Sequence, residues 1–205
     1  MPSVPRTTVT PEEYLAMERA AAHKHVLWDG EVFAMAGALP DHNVIVANFI
    51  AELRGLARRG RCRVFASDQK VWVPQRRGFV YPDVTVVCAP LAFYDDTQDV
   101  VTNPTVLVEV LSASTEAFDR GAKASGYRAL DSLRDLLFVW QTERHVEHYA
   151  RQPDGAWMLR EYRDDAVVPV ATLGGDARLT EVYLAVFDDG SPPPPLTPPP
   201  AASPR

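Results

Sequence analysis

Two carboxylates stand where carboxylates are costly. Tyr81-Pro82-Asp83-Val84-Thr85-Val86-Val87 sets a proline and then an acid in an apolar run. Further along, Val106-Leu107-Val108-Glu109-Val110-Leu111 sets a glutamate among aliphatic neighbours. An ionised acid in a segment built for burial needs a cation or strong donors to offset its desolvation. One explanation covers both: Asp83 and Glu109 converge on a single divalent cation, with water and the backbone carbonyl of Val110 completing a set of hard oxygen ligands. Such a set suits magnesium or manganese. An ion of this kind lowers the pKa of a bound water and neutralises charge on a phosphoryl oxygen. A nearby lysine would orient that water and stabilise the transition state. A second explanation stands beside the first: Asp83 caps a turn, and Glu109 pairs with an arginine across the sheet.

The candidates for the lysine are few. Of the 21 basic residues only Lys24, Lys70 and Lys123 are lysines. Asp119, Lys123 and Tyr127 are spaced by four, so in a helix they share one face; an Asp119–Lys123 pair within the helix is the plainer reading. Lys70 lies on the strand before Asp83. His42, at the start of a helix, is a candidate for a phosphate contact or a proton shuttle, or is simply a helix-start histidine. Asp68 and Gln69 are ordinary loop residues that could also line a groove. Arg54, Arg58, Arg59, Arg61 and Arg63 form a dense basic segment, and Arg76-Arg77 tips the next hairpin. Clusters of this kind neutralise nucleic-acid phosphates, and arginines at a helix C-terminus also complement its dipole.

The elements that must hold these residues follow from local chemistry. Thr10-Pro11-Glu12-Glu13 predicts a helix start with Thr10 as N-cap, Pro11 at the first helical position and Glu13 closing a capping box, the helix running to about Ala22. The apolar runs 25–28 and 31–35 flank Asp29-Gly30 and predict a hairpin with a type I′ turn. A longer helix is expected from Asp41 or His42, with an apolar stripe through Ile45 and Leu53, ending at Arg58-Arg59-Gly60. Strands are expected at 63–66, extending through 70–73, then from Phe79 to Cys88 and from Thr105 to Leu111, the last two rich in valine and central to a sheet. A helix over 116–129, a strand over 136–141 and a meander over 144–150 and 157–162 complete the body.

This order describes one α/β or α+β domain with a mixed sheet over about residues 10–188, after a ragged lead at 1–9. Eight of the 18 prolines fall between residues 192 and 205, so 189–205 is expected to be a polyproline-like tail outside the core. With 46% hydrophobic residues the chain is not wholly disordered. No stretch is apolar for long enough to span a membrane, and the N-terminus lacks a secretion signal, so a cytoplasmic location is expected. Cys62 and Cys88 are too few for a disulfide framework or a four-cysteine zinc site and are read as free, buried thiols. A net charge of −6 argues against general nucleic-acid binding and leaves only local basic clusters for that role.

Pro82-Asp83 followed by Glu109 within an apolar strand resembles the PD-(D/E)XK nuclease superfamily. The fuller set is similar to the Uma-two family of restriction-endonuclease-like proteins: Tyr81 to Val84, Val108 to Ser112, Ser114-Thr115-Glu116, Asp119-Arg120, Lys123 and Tyr127, with the earlier run 27–32 and His42. The resemblance spans about residues 8–187. It implies a restriction-endonuclease-like core, with Asp83 and Glu109 as metal ligands in a magnesium- or manganese-dependent endonuclease acting on DNA, and by analogy a homodimer. The superfamily places its lysine two residues after the second acid, where this chain has Leu111; some members supply it from the following helix, which points to Lys123. Lys70 is then the second choice, and Glu31 and His42 are auxiliaries. Arg58, Arg59, Arg76 and Arg77 are the candidate DNA contacts. Leu111 and the acidic net charge equally suit a nuclease-fold module that binds nucleic acid or protein without cutting.

Overall fold

The computed structural model describes residues 8–187, except 59, 61 and 114. The first seven residues and the proline-rich tail lie outside the described residues. Helix α1 (Pro11–Ala20) starts as its sequence dictates: the Thr10 hydroxyl accepts from the Glu13 amide, and the Glu13 carboxylate accepts from the Thr10 amide. Strands β1 (His25–Trp28) and β2 (Glu31–Ala34) pair antiparallel around Asp29 (φ 50°) and Gly30 (φ 83°). Positive φ at both central residues is the type I′ signature. Helix α2 (Pro40–Ala57) begins one or two residues earlier than expected, because Pro40 serves as its first helical residue, and buries Ile45, Phe49, Leu53 and Ala57 along one stripe.

The next strands diverge from the sequence reading in an informative way. β3 (Arg63–Ala66) and β4 (Lys70–Val73) belong to different sheets, and a 3₁₀ turn (Pro74–Arg76) follows β4. The run expected as one strand from Phe79 to Cys88 is two, β5 (Gly78–Val80) and β6 (Val84–Val87), again in different sheets. The break falls on Tyr81-Pro82-Asp83. Proline has no amide hydrogen for the ladder, so the chain leaves one sheet there and enters the other. Two-residue β7 (Val100–Val101) precedes β8 (Val106–Leu111), which is buried along its whole length.

A crossover of α3 (Glu116–Phe118), a π-helical turn (Asp119–Lys123) and α4 (Ala124–Arg128) carries the chain to β9 (Asp135–Trp140), parallel to β8. The β10 (His145–Arg151) and β11 (Trp157–Arg163) hairpin follows as expected. Residues 167–182, not resolved into elements from the sequence, form β12 (Val167–Val170), a 3₁₀ turn (Ala171–Leu173), β13 (Gly175–Arg178) and α5 (Leu179–Val182).

The six-stranded sheet has the order β11-β10-β9-β8-β6-β3, and the five-stranded sheet the order β2-β1-β5-β4-β7. Each is mixed, with one parallel pair, β8–β9 and β4–β7 respectively. One face of the larger sheet packs through Val84, Val106, Val108 and Val110 on α2 and α5. Its other face packs through Leu107, Leu111 and Phe138 on Ala124 and Tyr127 and on valines of the smaller sheet. Alternation along β8 thus sends Glu109 to the α3–α4 side.

The cysteines correct their sequence reading. Cys62 and Cys88 form a disulfide and are half-buried rather than free and buried. The β3–β6 register pairs Arg63 with Val87, so Cys62 and Cys88 are the next cross-strand pair. Their proximity depended on a pairing invisible to local spacing.

Candidate active site

Asp83 and Glu109 come together because of register. β6 and β8 pair Val84 with Val108, and continuing by one residue sets Asp83 opposite Glu109. The Asp83 carboxylate accepts a hydrogen bond from the Val110 amide at 2.7 Å, replacing the ladder partner that the break at Pro82 removes. An unmet buried amide would cost ~1–3 kcal/mol. Asp83 therefore does cap a broken strand; the same cap fixes its carboxylate beside Glu109.

Glu109 is almost fully buried, and its partners come from the crossover helix rather than from an arginine across the sheet. Its Oε1 accepts from Lys123 Nζ at 3.0 Å and from the Tyr127 hydroxyl at 2.5 Å. Lys123 Nζ also lies 2.9 Å from Asp119. The expected shared face of Asp119, Lys123 and Tyr127 is thus real and turned toward Glu109. Lys123 pairs with Asp119 within its own helical segment and also reaches Glu109. The π turn falls on this segment, a local widening often found at functional sites.

Above the strand break stands the first turn of α2. His42 Nε2 lies 3.4 Å from Asp83 Oδ2, and His42 Nδ1 is buried without a hydrogen-bond partner among the described residues. Burial pulls the His42 pKa down, but the hydrogen bond and charge of Asp83, the charge of Glu109 and the Val110 carbonyl outweigh it, and the net shift is upward. Burial pushes the Glu109 carboxyl up to about 8; Lys123 opposes this, while Asp119 and Asp83 reinforce it. Burial also pulls Lys123 down, yet Glu109 and Asp119 more than reverse it, so the ammonium keeps its proton. The two partners pull in opposite senses on their shared contact. The charge on Lys123 is the firmer of the two, because Lys123 has a second carboxylate while Glu109 has no second cation. The Tyr127 hydroxyl is pushed well above its ordinary value, by burial first and Glu109 next, and acts as a donor.

The donor set fits a hard divalent cation. The bonds to Glu109 fall on Oε1 and those to Asp83 on Oδ2, so each carboxylate keeps a second oxygen. No group of three or more His, Cys, Asp or Glu side chains with metal-binding geometry occurs among the described residues. An ion held here would take its remaining ligands from the Val110 carbonyl and water.

The other candidates are placed as follows. Glu31 is half-buried on β2, on the same strand face as Phe33, whose ring lies 6.5 Å from that of Phe118 on the crossover. Lys70 is buried on β4, 2.9 Å from Asp99 and over the Tyr81 ring. Arg76 pairs with Asp29 at 3.4 Å and lies over Trp28. Arg77 follows with φ 42°, Arg58 is the C-cap of α2, and Arg59 lies outside the described residues. Asp68 pairs with Lys24, and Gln69 donates to the carbonyls of Lys70 and Asp99.

Comparison with known proteins shows the family and the fold. A family model described as "Uma2: Putative restriction endonuclease" matches residues 11–181. An uncharacterized protein of Synechocystis sp. is 32% identical over 182 residues, covering 89% of this chain and 95% of its own. A second uncharacterized Synechocystis protein is 35% identical over 153 residues, covering 75% and 86%. A crystal structure from Anabaena variabilis, described as "a putative nuclease", superposes with a TM-score of 0.70 at 13% identity, covering 87% of this chain and 99% of that one. The shared architecture is the restriction-endonuclease-like fold. No helix among the described residues is long and apolar enough to cross a membrane.

Proposed function

The chain belongs to the Uma2 family, and on that premise we propose that it is a divalent-metal-dependent endonuclease that hydrolyses phosphodiester bonds in DNA. The observation that carries this reading is the meeting of Asp83, at the break before β6, with Glu109 on the paired strand β8, and the reach of Lys123 to Glu109 from the crossover that follows β8. A magnesium or manganese ion bound there would supply an activated water and neutralise charge on the phosphoryl oxygen. Asp83, Glu109 and the Val110 carbonyl would hold the ion. Lys123, kept charged by two acids, would orient the attacking water from Nζ and offset negative charge in the transition state. His42, engaged at Nε2 by Asp83, would act as an auxiliary that carries a proton or contacts phosphate beside that carboxylate. Glu31, on the hairpin packed on the crossover, would act as an auxiliary outside the ion's own ligands, and Lys70 remains the alternative amine. Arg58, Arg59, Arg76 and Arg77 would contact phosphates. Cutting both strands of a duplex calls for two sites, which a homodimer would provide.

The test is cleavage of plasmid and oligonucleotide DNA with manganese or magnesium. Wild type should cut, and Glu109→Ala and Lys123→Ala should each lose about 10²-fold or more in rate, the scale of one lost transition-state contact. Failure of the wild type to cut with either ion, or cutting that survives Glu109→Ala, overturns the reading. One observation favours a second reading, a nuclease-fold binding module. Leu111, buried to 3% exposure, occupies the place where a lysine is expected, and Lys123 is already held by two carboxylates. Retardation of DNA by a wild type that never cuts would assign that role.

A further inference from the structure

At the end of the large sheet away from Glu109 lies a recess of about 330 Å³. Its position follows from register: Asp135 pairs with Val106, three residues before Glu109 on β8. The floor is one face of β9, β10 and β11, and Pro169 to Thr172 form a wall. His148 and Asp135, both nearly fully buried, meet on the floor with Nε2 to Oδ1 at 2.8 Å, and the Thr172 hydroxyl donates to the other Asp135 oxygen. That acid is therefore fully engaged by its neighbours.

The cations around it are not. Arg134 Nη1 donates to the carbonyl of Asp131 at 2.7 Å, and Arg151 Nη1 donates to the same oxygen at 3.2 Å. Each takes a further carbonyl, of Leu133 and Leu130 respectively. Two guanidinium groups are thus pinned side by side by neutral acceptors, with their remaining N–H donors unused in these bonds. Arg160 stands across from His148 in the β10–β11 register and lines the same recess. None of the three forms an ion pair with a carboxylate among the described residues. Elsewhere in this acidic chain Arg19 and Arg120 each sit on two carboxylates. Fixed like charges repel unless an anion comes between them, and a planar fork held from one edge is pre-organised for two oxygens of one group. Tyr162 and Met158 add an apolar side of the kind that receives the organic part of a ligand.

We infer that this recess binds a small phosphomonoester of mononucleotide size, with Arg134 and Arg151 clamping the phosphate, Arg160 closing over it and Tyr162 with Met158 against the remainder. The site is separate from the Asp83–Glu109 centre and does not depend on the nuclease reading. The volume lies at the lower end of the range typical of small-ligand pockets, which favours a mononucleotide over a nucleic-acid strand.

The test is calorimetric titration of the full chain, in EDTA, with dAMP, glucose 6-phosphate, inorganic phosphate and deoxyadenosine. At least one phosphomonoester should bind one to one with a submillimolar Kd, and deoxyadenosine at least tenfold more weakly than dAMP. Preference for dAMP or for the sugar phosphate then identifies the source of the phosphate. Arg160→Ala and Arg134→Ala should each weaken binding tenfold or more with the thermal midpoint of Arg160→Ala unchanged, while Glu109→Gln leaves affinity intact. No binding at millimolar concentration overturns the inference, as does binding that tolerates both arginine variants or disappears with Glu109→Gln. Equal binding of dAMP and deoxyadenosine overturns it too, and so does arginine-dependent binding confined to duplex DNA.

Discussion

Lys123 neutralises two buried acids, whereas Glu109 is only one of its two partners, and the two ends of this contact should therefore respond unequally to mutation. Lys123→Met preserves the length and apolar packing of the stem but leaves Glu109 and Asp119, each with a side chain 4% exposed, without their cation. Breaking a buried pair in this way costs ~3–5 kcal/mol. Glu109→Gln keeps an oxygen acceptor for Tyr127 and Lys123, and Lys123 retains Asp119 at 2.9 Å, so the loss should be about 1 kcal/mol. In the double variant only Asp119 remains unpaired, which predicts a coupling of about 1–2 kcal/mol between the two changes. Against a total stability near the middle of the usual range, about 10 kcal/mol, all three variants should still fold. Urea unfolding in EDTA, followed by tryptophan fluorescence, measures each; Trp28 packs edge-on against Phe118 of the crossover at 5.4 Å and reports on it directly. A loss below about 1 kcal/mol for Lys123→Met, or a greater loss for Glu109→Gln than for Lys123→Met, would refute the assignment of Lys123 as shared counter-charge.

Other perturbations follow from the same packing. Hydrogen bonds from Arg19 hold the Asp99 carboxyl below the usual carboxylate range, against burial, with Thr97 and Lys70 assisting. A depressed folded-state pKa contributes stability present above the unfolded value of about 3.9 and lost as pH falls through the folded value. Unfolding measured from pH 6 to pH 3 should thus show a shallower acid loss in Asp99→Asn than in wild type; equal slopes would count against the network. A Cβ on Gly126 would lie 2.8 Å from the Trp28 ring and 2.9 Å from a Val73 methyl, so Gly126→Ala should destabilise by about 1–3 kcal/mol in chemical denaturation. Reduction of the Cys62–Cys88 bridge, which closes a separation of 26 residues, should lower stability by about 2–4 kcal/mol, and a Cys62→Ser/Cys88→Ser chain should match the reduced wild type.

What was legible in the sequence is what local chemistry decides. The Thr10 box and the Asp29-Gly30 turn are each specified within four residues, and both form as read. Glu109 was legible because an acid among aliphatic residues contradicts its own surroundings, and Lys123 because a spacing of four defines a helix face. Features that depend on which strands pair were not. The switch of sheets at Pro82, the two-residue strand at Val100 and the Cys62–Cys88 contact are consequences of topology. The His42–Asp83 contact required knowing that α2 starts above the break in β5–β6. The paired arginines of the recess leave no mark in the sequence, because their partners are backbone carbonyls, which every sequence contains.

The passage of the chain between sheets at Tyr81-Pro82-Asp83 makes Asp83 a joint as well as a ligand candidate. The strand just before it, β5, packs in a layer built on Phe79, Leu27 and Tyr14. The strand just after it, β6, is anchored to α2 and β8. A shift of the smaller sheet over the larger would therefore act on Tyr81-Pro82-Asp83, next to the carboxylate that the Val110 amide holds. Residues in the N-terminal hairpin that never approach a substrate could in this way tune or silence the centre, and selection on activity would reach them through the joint.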